Sequence, residues 1–294
     1  FAIKGRNTVI ISPHPRAKKL TAQLVAMFNE AIKPLGAPEN VIQYIDPPSV
    51  EASSELMKQV DVVVATGGMA MVKSAYSSGK PAYGVGVGNV QCIIDRGMDI
   101  SVAVPKILEG RAFDNGIICS GEQTIIAPKE EYDAIMAEAQ KNGAVYVTDP
   151  AQKQALRDTI FPGGVMNKDL IGVSAVRVAE AAGISVPADT RVILIEADGY
   201  GKADILSKEK MCPVISTYRY DTFEEGVEIA QANLEVDGRG HSVSIHSDND
   251  AHLEYAGNRL EVARVLVNQI CSTMNGGSFQ NGLAPTTTLG CCSW

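Results

Sequence analysis

VDVVVATGGMAMV, residues 60–72, decides the fold class. Apart from Asp61, its first half is an apolar, mostly β-branched run, the pattern of a strand buried on both faces rather than one with a wet side. Two glycines stop the strand, and the apolar residues that follow return at helical spacing. A buried strand passing through a glycine turn into a helix is half of a β-α-β unit, which points to a parallel sheet covered by helices. The turn also brings backbone N–H groups and a helix N-terminus to one place, where a phosphate fits. Gly67 and Gly68 serve equally well as a plain tight turn.

Outward from this stretch the alternation continues. Toward the N-terminus, strands are expected at residues 7–12 and 41–45, with helices at 17–33 and 50–59. On the other side come a helix at 71–77, extended segments at 81–85 and 90–95 around a glycine cluster, and a helix at 102–112. Further strands at 123–127, 144–147, 191–196, 214–220, 242–246 and 264–268 alternate with helices at 130–142, 151–159, 168–182, 223–232 and 250–258. The reading is α/β, with two doubly wound parallel-sheet domains, residues 1–112 and 113–294, joined near Phe113. Residues 275–290 are expected to form an ordered loop. The chain opens on Phe rather than Met and stops at LGCCSW, so it is expected to be truncated at the N-terminus and the C-terminus.

The bulk properties restrict function. At 294 residues with 45% hydrophobic content, the chain is long enough to bury one large core or two joined ones. A formal net charge of −8 leaves no uniformly basic surface, so neither nucleic acid nor an anionic membrane is the expected partner. No apolar run is as long as a membrane span and the start has no secretion-signal core, which suggests the cytoplasm. Six cysteines (Cys92, Cys119, Cys212, Cys271, Cys291, Cys292) without CxxC spacing read as thiols, not as a disulfide framework. The four histidines show no metal-ligand spacing, so no metal is expected.

Three further stretches carry candidate chemistry. SPHPRAKK (residues 12–19) places cations at the start of a helix, against its dipole, which fits either an anion site or a solvated basic turn. YGVGVGNV (83–90) has glycines at 84, 86 and 88, suited to close approach by a ligand or by a neighbouring strand. RAFDNGIICSGEQTIIAP (111–128) sets Cys119 just before a strand. A free thiol is only a few per cent thiolate at neutral pH, and no His or Lys stands beside Cys119 in sequence, so a buried inert cysteine and a presented nucleophile both remain open.

Several separated segments, taken in order, resemble one family. FDNGIICSGEQ (113–123), ATGGMAMVKSAYSSGKPAYGVGVGN (65–89), KEKMCPV (208–214), GHSVSIHSDND (240–250) and GGSFQNGLAPTTTLGC (276–291) are similar to segments of the CoA-acylating branch of the aldehyde dehydrogenase superfamily. LGAPENVIQYI (35–45), KEKMCPV, YDTFEE (220–225) and HSDND (246–250) resemble the members of that branch that act on succinate semialdehyde.

The resemblance implies an aldehyde dehydrogenase-like fold and an oxidoreductase that interconverts an acyl-CoA and its aldehyde with NADP or NAD. Coenzyme A would be the co-substrate and Cys119 the nucleophile. By the same resemblance residues 1–112 form a nucleotide-cofactor domain and 113–294 the cysteine domain. Ser12, His14 and Arg16 would face the adenosine ribose, Gly67, Gly68 and Gly86 line the cofactor path, Glu209 takes the nicotinamide ribose, and Met211 packs on the nicotinamide. Glu209 reads equally as a solvated charge and Met211 as core. Ser120 would meet a polar acyl tail or cap a helix, and His241 would lie near the CoA thiol or cap a strand. Gly84 stands where hydrolytic members of the superfamily carry a water-activating glutamate, so the thioester is expected to persist until a thiol arrives. A homo-oligomer is also implied. Acetaldehyde or another short aldehyde as substrate, and an inactive nucleotide-binding fragment, are the alternatives.

Overall fold

The computed structural model describes residues 2–286. Contacts divide the chain into two compact units, Phe1–Ala65 with Ala70–Gly84, and Thr66–Met69 with Val85–Trp294. The division falls before the boundary read near Phe113, because the strand at 91–94 is hydrogen-bonded into the second unit's sheet.

In the first stretch of chain, β1 (Val9–Ile11) leads through a 3₁₀ turn into α1 (Lys18–Ile32), followed by β2 (Ile42–Tyr44) and α2 (Val50–Gln59). Then come β3 (Val63–Thr66), α3 (Met69–Tyr76) and β4 (Ala82–Val85). The strands form two separate pairs, β1–β2 in parallel register and β3–β4. The quoted strand–glycine–helix stretch is thus β3, its turn and α3.

The second unit holds the larger core. Its elements are β5 (Gln91–Ile94), α4 (Ile100–Ala112), β6 (Thr124–Pro128), α5 (Tyr132–Lys141), β7 (Ala144–Val147) and α6 (Pro150–Ile160). They continue with α7 (Ala175–Ala181), β8 (Val192–Glu196), β9 (Val214–Tyr220), α8 (Phe223–Val236), β10 (Ser242–His246), α9 (Asp250–Arg259), β11 (Arg264–Val267) and α10 (Cys271–Met274). Seven strands pair in the order β11-β10-β5-β6-β9-β8-β7, every recorded pairing parallel.

Alternation along each strand explains why both faces are dry. Cys92 and Ile94 of β5, Ile125 and Ala127 of β6, and Val192 and Leu194 of β8 pack with α4 and α5. Ile93, Ile126, Val243 and Ile245 point the other way, into a cluster with α8 and α9, while Ile193 and Ile195 join α6 and α7 on that same side. This is the doubly wound arrangement expected from the continuous apolar runs.

Some sequence expectations change. The segments at 81–85 and 90–95 go to different sheets. The helix expected over 168–182 is broken: a 3₁₀ turn at Lys168–Leu170 is separated from α7 by Gly172 at φ +72° and by Ser174, whose side chain caps α7 at Arg177 N. The expected ordered loop from residue 275 is described as far as 286, and its remainder, with Cys291 and Cys292, lies outside the described residues.

Gly110 shows how tightly α4 sits on the loop beyond it. A Cβ there would lie 1.9 Å from Oε2 of the buried Glu122. Gly110→Ala is therefore expected to destabilise the protein by about 2 kcal/mol or more despite alanine's better helix propensity. Comparing urea midpoints of the variant and the parent checks this, and equal midpoints would contradict it.

Candidate active site

Cys119 lies between α4 and β6, in a loop whose entry is conformationally demanding. Asp114, Asn115 and Gly116 take φ of 50°, 51° and 70° in succession, a left-handed run that only Asn, Asp and Gly adopt at modest cost. Sequence supplies those residue types in the DNG step. Asn115 is then fixed by Nδ2 donating to the Gly172 carbonyl at 3.1 Å, while Gly172 N donates to the Met211 carbonyl at 3.0 Å. Gly116 presses on the Cys212 backbone, where a Cβ would come within 2.8 Å. The loop that turns toward Cys119 is thereby attached to the segment before β9.

On the other side Cys119 meets the GVGVGN stretch. A Cβ at Gly88 would lie 2.0 Å from the Cys119 carbonyl oxygen and 2.8 Å from its Cβ, so only glycine fits. Gly88 N donates to Glu209 Oε1 at 3.1 Å. The adjoining Asn89 is buried, and its Nδ2 donates to the carbonyls of Ser207 (2.7 Å) and Asp237 (3.0 Å). Gln123 N donates to the Val90 carbonyl at 2.9 Å and so continues the β5–β6 ladder down to this point. The structure therefore gathers Cys119, Gly88 and Glu209 at the N-terminal ends of β5, β6 and β9. That is the opposite edge from the one where ligands usually sit in open α/β sheets.

Electrostatics at this edge follow from burial. Cys119 is half-buried and unpaired, and desolvation, with the Glu209 carboxylate as second cause, pushes its thiol up to about 11. Glu209 is itself pushed up to about 7, chiefly by burial, against the pull of the Gly88 N–H. Glu209 Oε2 has no hydrogen bond among the described residues. Around them lies a dry ionisable cluster: Arg111, Glu122 and Lys210 are fully buried. Lys210 Nζ donates to the carbonyls of Leu206 (2.8 Å) and Lys208 (3.0 Å), and burial with the nearby Arg111 draws its pKa down to about 7. Glu122 Oε1 accepts from Cys271 N at 2.6 Å, and burial raises this carboxyl to about 8.

The other sequence-singled residues fall as follows. Ser12 Oγ shares a hydrogen bond with Ser53 Oγ at 2.6 Å, and His14 Nδ1 accepts from Arg16 N at 3.2 Å, capping the turn before α1; His14 and Arg16 are exposed. Gly67 N donates to the Val85 carbonyl at 3.1 Å, so that N–H is already engaged, whereas nothing lies within 4 Å of a Cβ at Gly68. Gly86 is buried, and Met211 is half-buried with its carbonyl bonded to Gly172 N.

Ser120 is a correction to the helix-cap alternative. It lies in a turn, fully buried, with Oγ donating to the Ser272 carbonyl at 3.2 Å. His241 is buried just before β10; its Nδ1 pairs with Ser242 Oγ at 2.6 Å, Nε2 has no partner among the described residues, and burial pushes its pKa down to about 4. Gly84 offers no room for a glutamate: a Cβ would lie 2.8 Å from Val72 Cγ1 and 2.9 Å from Tyr76 Cε2. Gly88, Arg111, Glu122 and Lys210 were not read as site residues from sequence; the third glycine of GVGVG was the available signal for the first of them.

Comparisons with known proteins come from both sequence and structure. The model of the aldehyde dehydrogenase family matches residues 1–160. A relative from Clostridium kluyveri, succinate-semialdehyde dehydrogenase (acetylating), is 54% identical over 293 residues, covering 100% of this chain and 64% of that protein. The chain thus spans less than two thirds of that relative's length. An acetylating aldehyde dehydrogenase from Geobacillus thermoglucosidasius superposes with a TM-score of 0.92 at 37% identity, over 99% of this chain and 64% of that one. A propionaldehyde dehydrogenase from Rhodopseudomonas palustris, solved with bound CoA and an acylated cysteine, gives a TM-score of 0.86 at 31% identity, over 96% of this chain and 64% of that one.

Two expected outcomes follow. Replacing Glu209 by Gln removes the negative charge beside the sulfur, so iodoacetamide should modify Cys119 roughly threefold to tenfold faster at about pH 8, read on the Cys119 peptide by mass spectrometry. An unchanged rate would show that the sulfur does not feel the carboxylate. Glu122 holds its proton to about pH 8 when folded and releases it near 4.5 when unfolded, so the folded state binds the extra proton between these values and stability falls as pH rises through them. Glu122→Gln should flatten that fall, measured as urea midpoints at about pH 5 and about pH 8.

Proposed function

The chain belongs to the aldehyde dehydrogenase family, and on that premise we propose that it carries the cysteine machinery of a CoA-acylating, NAD(P)-dependent aldehyde dehydrogenase. The favoured substrate pair is succinate semialdehyde and succinyl-CoA, supported by the 54% identity to the Clostridium kluyveri relative. Residues 1–112 are assigned to nucleotide binding and 113–294 to the cysteine chemistry. The observation that carries the proposal is the site itself: a half-buried free thiol, presented by a left-handed turn, closed on one side by a glycine that no other residue can replace, with Glu209 joined to that glycine.

Cys119 Sγ attacks the aldehyde carbon and the oxygen takes a proton, giving a thiohemiacetal. A bound nicotinamide would supply the acceptor for the hydride that leaves this carbon, while the hydroxyl proton passes to water. The resulting thioester on Cys119 is attacked by the CoA thiolate, which forms the acyl-CoA and frees the cysteine sulfur. Because the resting thiol is pushed up to about 11, the unloaded protein holds it protonated and its reactivity rises with pH.

Glu209 fits a ribose diol, since one carboxylate oxygen is committed to Gly88 N and the other has no hydrogen bond among the described residues. Met211 lies two residues further along the same segment and would meet the nicotinamide. Gly68 has open space beside it for the pyrophosphate side, with Gly67 and Gly86 shaping the backbone there. Ser12, His14 and Arg16 would take the adenosine end, His14 and Arg16 being exposed at the β1–α1 turn. Ser120 and His241 shape the acyl and CoA side from buried positions rather than from an open face. No carboxylate occupies position 84, and the space there is closed, so the thioester goes to CoA rather than to water. The free thiols Cys92, Cys119, Cys212 and Cys271 suit a reducing cytoplasm. Among the described residues no helix is long and apolar enough to cross a membrane. A homo-oligomer completes the reading.

Incubation with succinyl-CoA should add a succinyl group at Cys119, seen as a mass shift on that peptide and absent in Cys119→Ser. Acylation by acetyl-CoA at a matching rate would favour the short-chain alternative. Labelling of neither kind, with nucleotide still bound, would reduce the chain to a binding module.

A further inference from the structure

One buried cation has no part in the chemistry described so far. Arg111 lies near the end of α4, just before the loop that presents Cys119, and is fully buried. Its Nη2 donates to the carbonyls of both Lys210 and Cys212. Nε and Nη1 have no hydrogen-bond partner, and no ion pair to Arg111 occurs among the described residues. Burial draws its pKa down only to about 10, so it is charged at neutral pH. A buried guanidinium with idle donors is costly, and an apolar side chain of similar volume would be the cheaper filler. What such a filler lacks is a donor group such as Nη2, which reaches two carbonyls separated by a single residue.

The gripped segment is the one that matters to the site. Lys210 follows Glu209, and Lys210 and Cys212 flank Met211. A second grip comes from beyond the nucleophile: Lys210 N donates to Gln123 Oε1 at 3.0 Å, and Gln123 Nε2 donates to the Lys210 carbonyl at 3.2 Å. The Lys210 carbonyl is therefore bonded from both sides of Cys119 in the chain. Gly116 rests on the Cys212 backbone and Gly88 N holds the Glu209 carboxylate itself. We propose that Arg111 is a positioning residue whose Nη2 group, bonded to the Lys210 and Cys212 carbonyls, holds the Glu209 carboxylate at a fixed place beside the Cys119 sulfur. This rests on the roles proposed for Cys119 and Glu209, but it concerns the resting protein and is read without turnover.

The experiment is a double-mutant cycle on iodoacetamide modification of Cys119, followed on its peptide by mass spectrometry across about pH 6–10. Glu209→Gln is made in the parent and in Arg111→Lys, which keeps the charge on a shorter side chain that falls short of the Nη2 position. The shift of the rate profile to lower pH produced by Glu209→Gln should shrink to less than about a third of its parental size in the Arg111→Lys background. An equal shift in both backgrounds overturns the proposal, as does the absence of any shift in the parent. Arg111→Met removes the donors and the charge together; coupling kept in Arg111→Lys but lost in Arg111→Met would assign the effect to charge and likewise overturn it. Where Arg111→Met does not fold, the Arg111→Lys cycle decides alone. A protein that takes no acyl group at Cys119 yet shows the expected cycle would sink the functional reading and leave the role of Arg111 standing.

Discussion

The contact between Gly88 and Cys119 is the constraint on which the site depends. A Cβ at residue 88 would lie 2.0 Å from the Cys119 carbonyl oxygen, closer than any real contact, so the two backbones approach as near as atoms permit. That approach lets Gly88 N reach Glu209 while Cys119 sits alongside. The β5–β6 pairing, carried past the strand ends by the Val90–Glu122 bridge, keeps it in register. The placing of Cys119 and of the amide that holds the carboxylate follows from one backbone packing decision.

Around this contact the fold accepts an unusual density of buried charge. Arg111, Glu122 and Lys210 are all sealed from water, and each is pushed toward its neutral form by desolvation. Natural cores retain such groups where geometry matters more than stability. Their hydrogen bonds go to backbone rather than to one another: Arg111 and Lys210 donate to carbonyls, and Glu122 accepts from the Cys271 amide. They act as struts across loops that have no regular structure of their own.

Much of the fold was legible in sequence because buried parallel strands read as continuous apolar runs; β9 and the α2 helix fall on the residues expected. What escaped was set by contacts remote in the chain. The break before α7 depends on Gly172 taking φ +72°, which an apolar helical pattern does not reveal. Resemblance singled out Cys119 and Glu209, while Arg111 went unread, since a single arginine on an amphipathic helix looks solvated until the partner segment covers it. Ser120 and His241 read as candidate contacts for an acyl chain or a thiol, yet both are fully buried, and burial of a polar residue is decided by tertiary packing.

The hydrogen bond from Gly88 to Glu209 joins residues 121 positions apart. Such a link closes only after a long stretch of chain has been ordered, and loop-closure entropy makes remote pairings late events in folding. A nascent or partly unfolded molecule thus possesses the cysteine without its acidic neighbour or its glycine floor. The surroundings that the finished architecture supplies push this thiol up to about 11, so completion of the fold quiets a sulfur that the open chain leaves at its ordinary reactivity.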